Sequence, residues 1–443
     1  MSEQEVHVAF GPVQEFLSEA RRARDLWSGS YLLSYLAGSA LVAVPDYQVV
    51  IPELASNPLV RALRAGTTPE RPGNRVGSVP HVAELLPPES EARQAAMKIV
   101  NGWNVAWERV SKAVFAYVHP KFPDWSSHTD EIWARQVSAA WSAVWVLGDP
   151  RGMPRRKSLR NFDRRDEPGE KCTCCGAREV LRGVDPSRRG VTDFWEAASQ
   201  RVGTLELRPR GRERLCAVCI IKRFLPIVST EALGWAVPTG FPSTPTMASL
   251  PWRLQALQAA AGDAPLRAAI RSLVTALRAT PMVQIEAHDC FPDLPAAVRA
   301  WPGDQRWAAE SFSRYDGRSL YPETMAGREW TETVGDEAAQ AVSRSLAGVL
   351  RRTRALKLPD PATSYALLMM DGDRTGELLR LYPGDKKRVS TALTDFSANV
   401  IKVVEGPGAN GRLIYSGGDD VLALLPKGPS GNKVGKCVQV SYA

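Results

Sequence analysis

At 443 residues with 44% hydrophobic content, the chain is long enough for about three domains, each with its own core. No run approaches the roughly 18 apolar residues of a membrane span, and the amino terminus lacks a basic region followed by an apolar stretch, so membrane and secreted classes are excluded and a cytoplasmic protein is expected. A formal net charge of +8 with a pI near 9.2 suits a polyanionic partner such as nucleic acid or nucleotides.

The first element is a strand, Val6 to Phe10, broken by Gly11-Pro12. A helix should follow, carrying Phe16, Leu17 and Ala20 with Arg21, Arg22 and Arg24 beside them. Ser28-Gly29 reads as its end, after which Leu33, Leu36, Ala37, Ala40, Leu41 and Val44 mark a second helix at i, i+3, i+4, i+7 spacing. Gln48 to Ile51 reads as a strand. In the Trp-rich region that follows, Trp133, Trp141 and Trp145 with Val137 and Ala140 predict one amphipathic helix, and Trp103 with Trp107 another i, i+4 pair; core packing is the favoured role of both over base stacking.

Two basic runs come next, Arg151, Arg155, Arg156, Lys157, Arg160, Arg164 and Arg165 in one loop and Arg201, Arg208, Arg210, Arg212 and Arg214 in another. Each alone reads as solvated surface, and together they make a plausible phosphate-contacting region. Cys172 with Cys175 and Cys216 with Cys219 are two C-x-x-C pairs, the ligand pattern of a closed structural zinc site. Cys174 lies inside the first pair, but Cys172 completes the two-residue spacing; Cys290 and Cys437 lack metal-like neighbours. Gly240 to Thr246 is a turn-rich junction leading into helical sequence as far as Leu350, and the isolated His288-Asp289 dipeptide lacks the further histidines of a metal-dependent HD nuclease.

Near the carboxyl end, the strand Tyr365 to Met370 runs into Asp371-Gly372-Asp373. Leu393, Phe396, Val400 and Val403 mark a helix over 389–405. Apolar runs then flank Ser416-Gly417-Gly418-Asp419-Asp420, a hairpin whose turn carries two carboxylates. If the two strands are neighbours, Asp371, Asp419 and Asp420 converge on one divalent cation, as phosphoryl transfer from a nucleoside triphosphate requires; Asp373 is a weaker ligand candidate. Strand, helix, helix, hairpin is the order of the palm fold of polymerases and nucleotide cyclases, and the amino terminus opens in a similar order. The expected class is therefore α+β. Two ferredoxin-like, nucleotide-cyclase-like palm domains are expected at 1–165 and 356–443, with a zinc module (166–240) and a helical domain (241–355) between them. Gly11-Pro12 stands where the second copy has Asp371-Gly372, so the first palm should be catalytically silent while helix amino termini and arginines near Gly11 hold phosphates. Gly431 to Lys436 lacks P-loop spacing and reads as a polar tail.

Several stretches resemble the large palm-domain subunit of type III-B (Cmr class) CRISPR effector complexes. They are Gly11 to Phe16, Arg24 to Leu33, Glu213 to Cys219, Phe241 to Pro245, Met370 to Asp373 and Ser416 to Asp420, in the family's order along nearly the whole chain. The resemblance implies a subunit that binds crRNA and target RNA beside other Cmr-type subunits and, once target is bound, converts ATP to cyclic oligoadenylates in antiviral defence. It implies that Asp371, Asp419 and Asp420 hold Mg²⁺ or Mn²⁺, and that Gly372, Asp373, Ser416, Gly417 and Gly418, with Arg21 and Arg24 of the silent palm, contact ATP. Two departures are expected to matter. The first palm strand starts by Val6, leaving no preceding HD nuclease domain, and the apolar pattern stops at Leu425, which would impair the cyclase. The competing readings are a non-catalytic RNA-binding scaffold and a free-standing cyclase making another signal such as cyclic di-GMP.

Overall fold

The computed structural model describes residues 3–71, 73–153, 167–183, 188–203, 206–281, 291–372, Thr375, Leu379 and 383–428. Cys290, Cys437, the His288-Asp289 dipeptide, Asp373, the 431–436 tail and the first basic run beyond Arg151 lie outside the described residues.

The amino-terminal sheet is built from β1 (Val6–Gly11), β2 (Val49–Ile51), β3 (Val82–Leu85) and β4 (Ser142–Leu147), in the order β2-β3-β1-β4 with every neighbouring pair antiparallel. Val6 faces Leu85 on one side and Leu147 on the other, and all six residues of β1 are buried, as befits a central strand covered on both faces. Helices α1 (Val13–Ser18), α2 (Ala23–Leu41), α3 (Pro58–Ala65), α4 (Ala92–Val118) and α5 (Ser127–Ser138) complete this part. Asn57 caps α3, accepting from the backbone of Leu59 and Val60, and Ser126 caps α5.

Two expectations are corrected here. The helix break falls at Glu19–Arg22, and Ser28-Gly29 lies inside α2. Ser28 donates its hydroxyl to the Lys222 carbonyl, and a Cβ on Gly29 would lie 3.2 Å from the side chains of Lys222 and Phe16, so this small pair serves close packing and not a turn. The Trp133–Trp145 helix stops at Ser138, and Trp145 belongs to β4. Period-2 and period-3.6 placements of three tryptophans coincide over so short a run, and pairing with β1 decides for strand. Core packing of the tryptophans holds: Trp103 stacks on Phe10 at 4.0 Å and Trp141 meets Trp103 edge-on.

The cysteine-bearing segment carries α6 (Arg188–Val202) and α7 (Ala217–Phe224), and α7 packs on α2, α4 and α5. Buried Arg223 makes a two-bond fork to Asp25 at 2.6 and 2.7 Å and reaches Glu213 at 2.9 Å, while the Lys222 ammonium donates to the carbonyls of Phe16 and Glu19. Helices α8 (Thr244–Gly262), α9 (Ala264–Arg278) and α10 (Asp336–Ala355) form most of the helical region. At its entrance Phe241 stacks on Trp27, and Ser243 caps α8 with a proline in its first turn.

The carboxyl-terminal sheet contains β5 (Tyr365–Met370), β6 (Arg412–Gly417) and β7 (Asp420–Pro426) in the order β5-β7-β6, again antiparallel. Helix α11 (Lys386–Val404) covers one face, setting Val400, Val404 and Phe396 against Leu368, Met370, Leu413, Val421 and Ala423. Ile414 and Leu424, on the opposite face, join the main core. β5, β7 and β6 thus repeat the mutual placement of β1, β3 and β2.

Candidate active site

Three carboxylates meet because of strand register. Met370 faces Val421, so Asp371, just past the end of β5, stands beside Asp420, the first residue of β7. Asp420 donates to Asp371 when protonated. Gly372 is held so close to Asp419 that a Cβ on it would lie 2.5 Å from the Asp419 Cβ and 2.7 Å from its carboxylate. Gly418 turns the chain between β6 and β7 at φ +64°, a conformation that favours glycine. Partial desolvation, then Asp419 and Asp371, push the Asp420 carboxyl up to about 6. Among the described residues, the charged neighbours that shift it are Asp419 and Asp371. Carboxylate oxygens are the donors a hard divalent cation takes.

The turn is anchored from α11: Ser397 donates its hydroxyl to the Gly418 carbonyl at 3.2 Å, and Ser416 donates to the Ser397 carbonyl at 3.2 Å. Ser416 is fully buried and its hydroxyl is engaged in that anchor. Burial and the charges of Asp420 and Asp419 push the Tyr415 phenol well above its usual range, keeping it neutral beside the turn.

A cavity of about 320 Å³ opens next to Gly417–Asp420. One wall comes from α11, through Leu393, Thr394 and Ile401, and the other from the amino-terminal part, through Ile51, Asn57, Ser78 and Val82. A mostly apolar cavity of this size with a few polar groups suits one small organic ligand. Thr375 also lines it and donates to the Gly372 carbonyl at 3.3 Å. Sequence reading passed over Thr375, Asn57 and Ser78; a hydroxyl two positions past Asp373 was the available sign of the first, and the other two carry no local signal. Arg21 and Arg24 do not line this cavity. Arg24 is paired with Glu206, and Arg21 is exposed just before α2.

Elsewhere, the sulfurs of Cys172, Cys175, Cys216 and Cys219 lie within 4.8 Å of one another, placed to hold one metal ion. The backbone N–H groups of Cys174 and Cys219 each donate to a cluster sulfur, of Cys172 and Cys216 respectively, at 3.4 Å, while the Cys174 thiol turns to the Glu19 carbonyl. In the second basic run, Arg208 pairs with Glu329, Arg210 and Arg212 with Glu332, and Arg214 with Glu170. These ion pairs link the loop to the helical region and the cysteine segment, with the Arg208 and Arg210 side chains about half exposed.

Two family models match the sequence: CRISPR-associated protein Cmr2, N-terminal, over residues 6–112, and Cas10/Cmr2, second palm domain, over residues 364–439. A curated relative, the CRISPR system Cmr subunit Cmr2 of Pyrococcus furiosus, is 21% identical, with 97% of this chain and 53% of the relative covered. The chain therefore spans about half the length of that relative. Among solved structures, a type III-B Cmr-beta complex in the apo state matches with a TM-score of 0.58 at 15% identity, covering 96% of this chain and 60% of the other. The Cmr-beta complex bound to cognate target RNA matches with a TM-score of 0.55 at the same identity and coverage. At such identity the likeness is one of fold.

Proposed function

We propose, from the premise that this chain is a Cas10/Cmr2 subunit of the type III-B class, that it converts ATP to cyclic oligoadenylates at the Asp371–Asp419–Asp420 cluster when target RNA is bound. On this reading both sheets are ferredoxin-like palms, the amino-terminal one silent because β1 ends in Gly11-Pro12. The observation that carries it is the grouping of Asp371 and Asp419 around Asp420 at the mouth of a nucleoside-sized cavity.

Asp371, Asp419 and Asp420 would hold Mg²⁺ or Mn²⁺. Such ions would lower the pKa of a ribose 3′-hydroxyl and neutralise charge on the leaving pyrophosphate. Each step forms one 3′–5′ phosphodiester and releases one pyrophosphate, so one nucleotide supplies the hydroxyl and another the α-phosphate. The chain's own part is to hold both in line. Gly417 and Gly418, which line the cavity, would let the triphosphate approach the backbone closely, Gly372 and Asp373 would contact it, and the apolar cavity walls would take the base. Arg21 and Arg24 of the silent palm would hold phosphate of the second nucleotide; Arg24 must then exchange Glu206 for it.

The cysteine cluster is assigned a structural zinc. A tetrahedron with Zn–S of about 2.3 Å has S···S edges of about 3.8 Å, the separation found between Cys175 and Cys216, 3.8 Å. The proposed partners are crRNA, target RNA and the other Cmr-type subunits.

The reading is tested by assembling the complex with crRNA and supplying labelled ATP or GTP, with and without matching target RNA. Cyclic oligoadenylate formed in the presence of target is the expected product. A cyclic guanine dinucleotide made without RNA would establish a free-standing cyclase, and RNA binding with no nucleotide product would leave the scaffold role.

A further inference from the structure

We propose that the connection from residue 52 to residue 81 is a strap that positions the carboxylate-bearing turn of the second sheet, with Gly77 and Ser78 as its positioning residues. The inference rests on the reading of that turn as a metal-dependent nucleotidyl-transfer site.

β2 and β3 stand in the first sheet where β6 and β7 stand in the second, because β3 pairs with both β1 and β2 as β7 pairs with both β5 and β6. The catalytic hairpin closes in a tight Gly418-Asp419 turn. Its counterpart opens into a long excursion holding α3, and that excursion reaches across to the other sheet.

The contact is made at the β6 edge not occupied by β7. Gly77 forms a parallel bridge with Tyr415 and its carbonyl accepts the Ser416 N–H at 2.9 Å. On its other side Gly77 rests on α2: a Cβ there would lie 2.8 Å from the Ser30 carbonyl oxygen and 2.8 Å from the Ser34 hydroxyl. Ser30 completes the sandwich by donating to the Ile414 carbonyl at 3.1 Å. One residue further, the Ser78 carbonyl oxygen lies 2.8 Å from where a Cβ on Gly417 would be, so the strap backbone is seated on the first residue of the turn.

A side-chain latch fixes the strap to its own helix. Asn57 donates from Nδ2 to the Ser78 hydroxyl at 3.1 Å while its Oδ1 accepts from the Leu59 and Val60 N–H groups. Val79 N–H donates to Ser34, and Arg75 pairs with Glu405 at the end of α11. A Gly-Gly turn has the largest backbone freedom of any sequence, whereas ligands for a divalent cation must be held to about 0.5 Å. The strap removes that freedom on the side of the turn away from Ser397.

The test uses the full-length chain, Mn²⁺ alone as the probe, and product formation in the assembled complex. Ser78→Ala removes the latch acceptor, Ser78→Thr keeps it, and Asn57→Ser retains a capping oxygen while removing the donor to Ser78. Ser78→Ala and Asn57→Ser should each weaken Mn²⁺ binding about tenfold, lower kcat, and leave the melting temperature within a few degrees; Ser78→Thr should restore Mn²⁺ affinity. Gly77→Ala should act more severely. Mn²⁺ affinity unchanged in Ser78→Ala and Asn57→Ser, or lost only in step with the melting temperature, overturns the strap. Weakened Mn²⁺ binding in variants of a wild-type complex that makes no product keeps the strap and overturns the nucleotidyl-transfer reading. A wild-type chain that binds no Mn²⁺ overturns both.

Discussion

Asp420 owes its chemistry to its neighbours. Its carboxyl is raised from an ordinary 3.8 to about 6, mainly by desolvation and then by the charges of Asp419 and Asp371. A raised carboxyl favours the protonated form in the folded state, so the metal-free fold is penalised above about pH 6 and the penalty fades as pH falls toward 3.8. Metal-stripped Asp420→Asn should therefore melt higher than wild type at pH 8, and the two should converge near pH 4. Differential scanning fluorimetry across that range decides it, and a gap that widens toward acid would reverse the assigned sign. The cation must also displace that proton, so Mn²⁺ affinity should fall as pH drops through 6. Replacing Asp419 and Asp420 together by Ala should cut nucleotide polymerisation at least about a thousandfold, because the charge neutralisation of the transition state goes with the ligands. RNA binding, measured in the same assembly by filter retention, should be unaffected. Unchanged product would remove the cluster from the reaction.

Among the elements, α2 does the most connecting. It packs on α4 and α7, supports the strap through Ser30 and Ser34, and presents Asp25 to Arg223. Both members of that pair are buried, with side chains 3% and 1% exposed. Asp25→Ala would leave the guanidinium with Glu213 as its remaining carboxylate and should cost about 3–5 kcal/mol, read from urea unfolding. A loss below about 1 kcal/mol, the range of surface pairs, would show the fork to be incidental. α2 also shows where pattern reading stops. Its apolar periodicity is plain from Leu33 to Leu41, but the sequence placed a boundary at Ser28-Gly29 that the structure puts at Glu19–Arg22. Small residues serve turns and close helix contacts alike, and the neighbour that decides, Lys222, is far away in sequence. α11 was legible to within a few residues, because Leu393, Phe396 and Val400 carry an unambiguous 3.6-residue period.

At the scale of the whole molecule, the cysteine cluster is a joint between parts. Cys216 caps α7, whose Lys222 and Arg223 hold α1 and α2. Cys216→Ser, or chelation, should release one zinc per chain, seen by elemental analysis. Hydrogen exchange should then rise over residues 171–183 and 206–223 and spread into α1 and the start of α2. Well-folded protein containing no zinc would refute the assignment. The sequence by itself determined the local facts: strands at Val6 and Tyr365, a helix over 389–405, a two-carboxylate turn, and two C-x-x-C pairs that need each other. These follow from side-chain period, turn chemistry and ligand spacing, which act over a few residues. The tertiary structure alone decided that Asp371 reaches Asp420, that the arginines after Val202 are matched by Glu329 and Glu332, and that Gly77 of the first sheet's excursion seats on Ser416 of the second. Each of these joins groups that are distant along the chain, and no short-range pattern encodes such pairings; they arise when burial of two sheets around α2 brings their edges together.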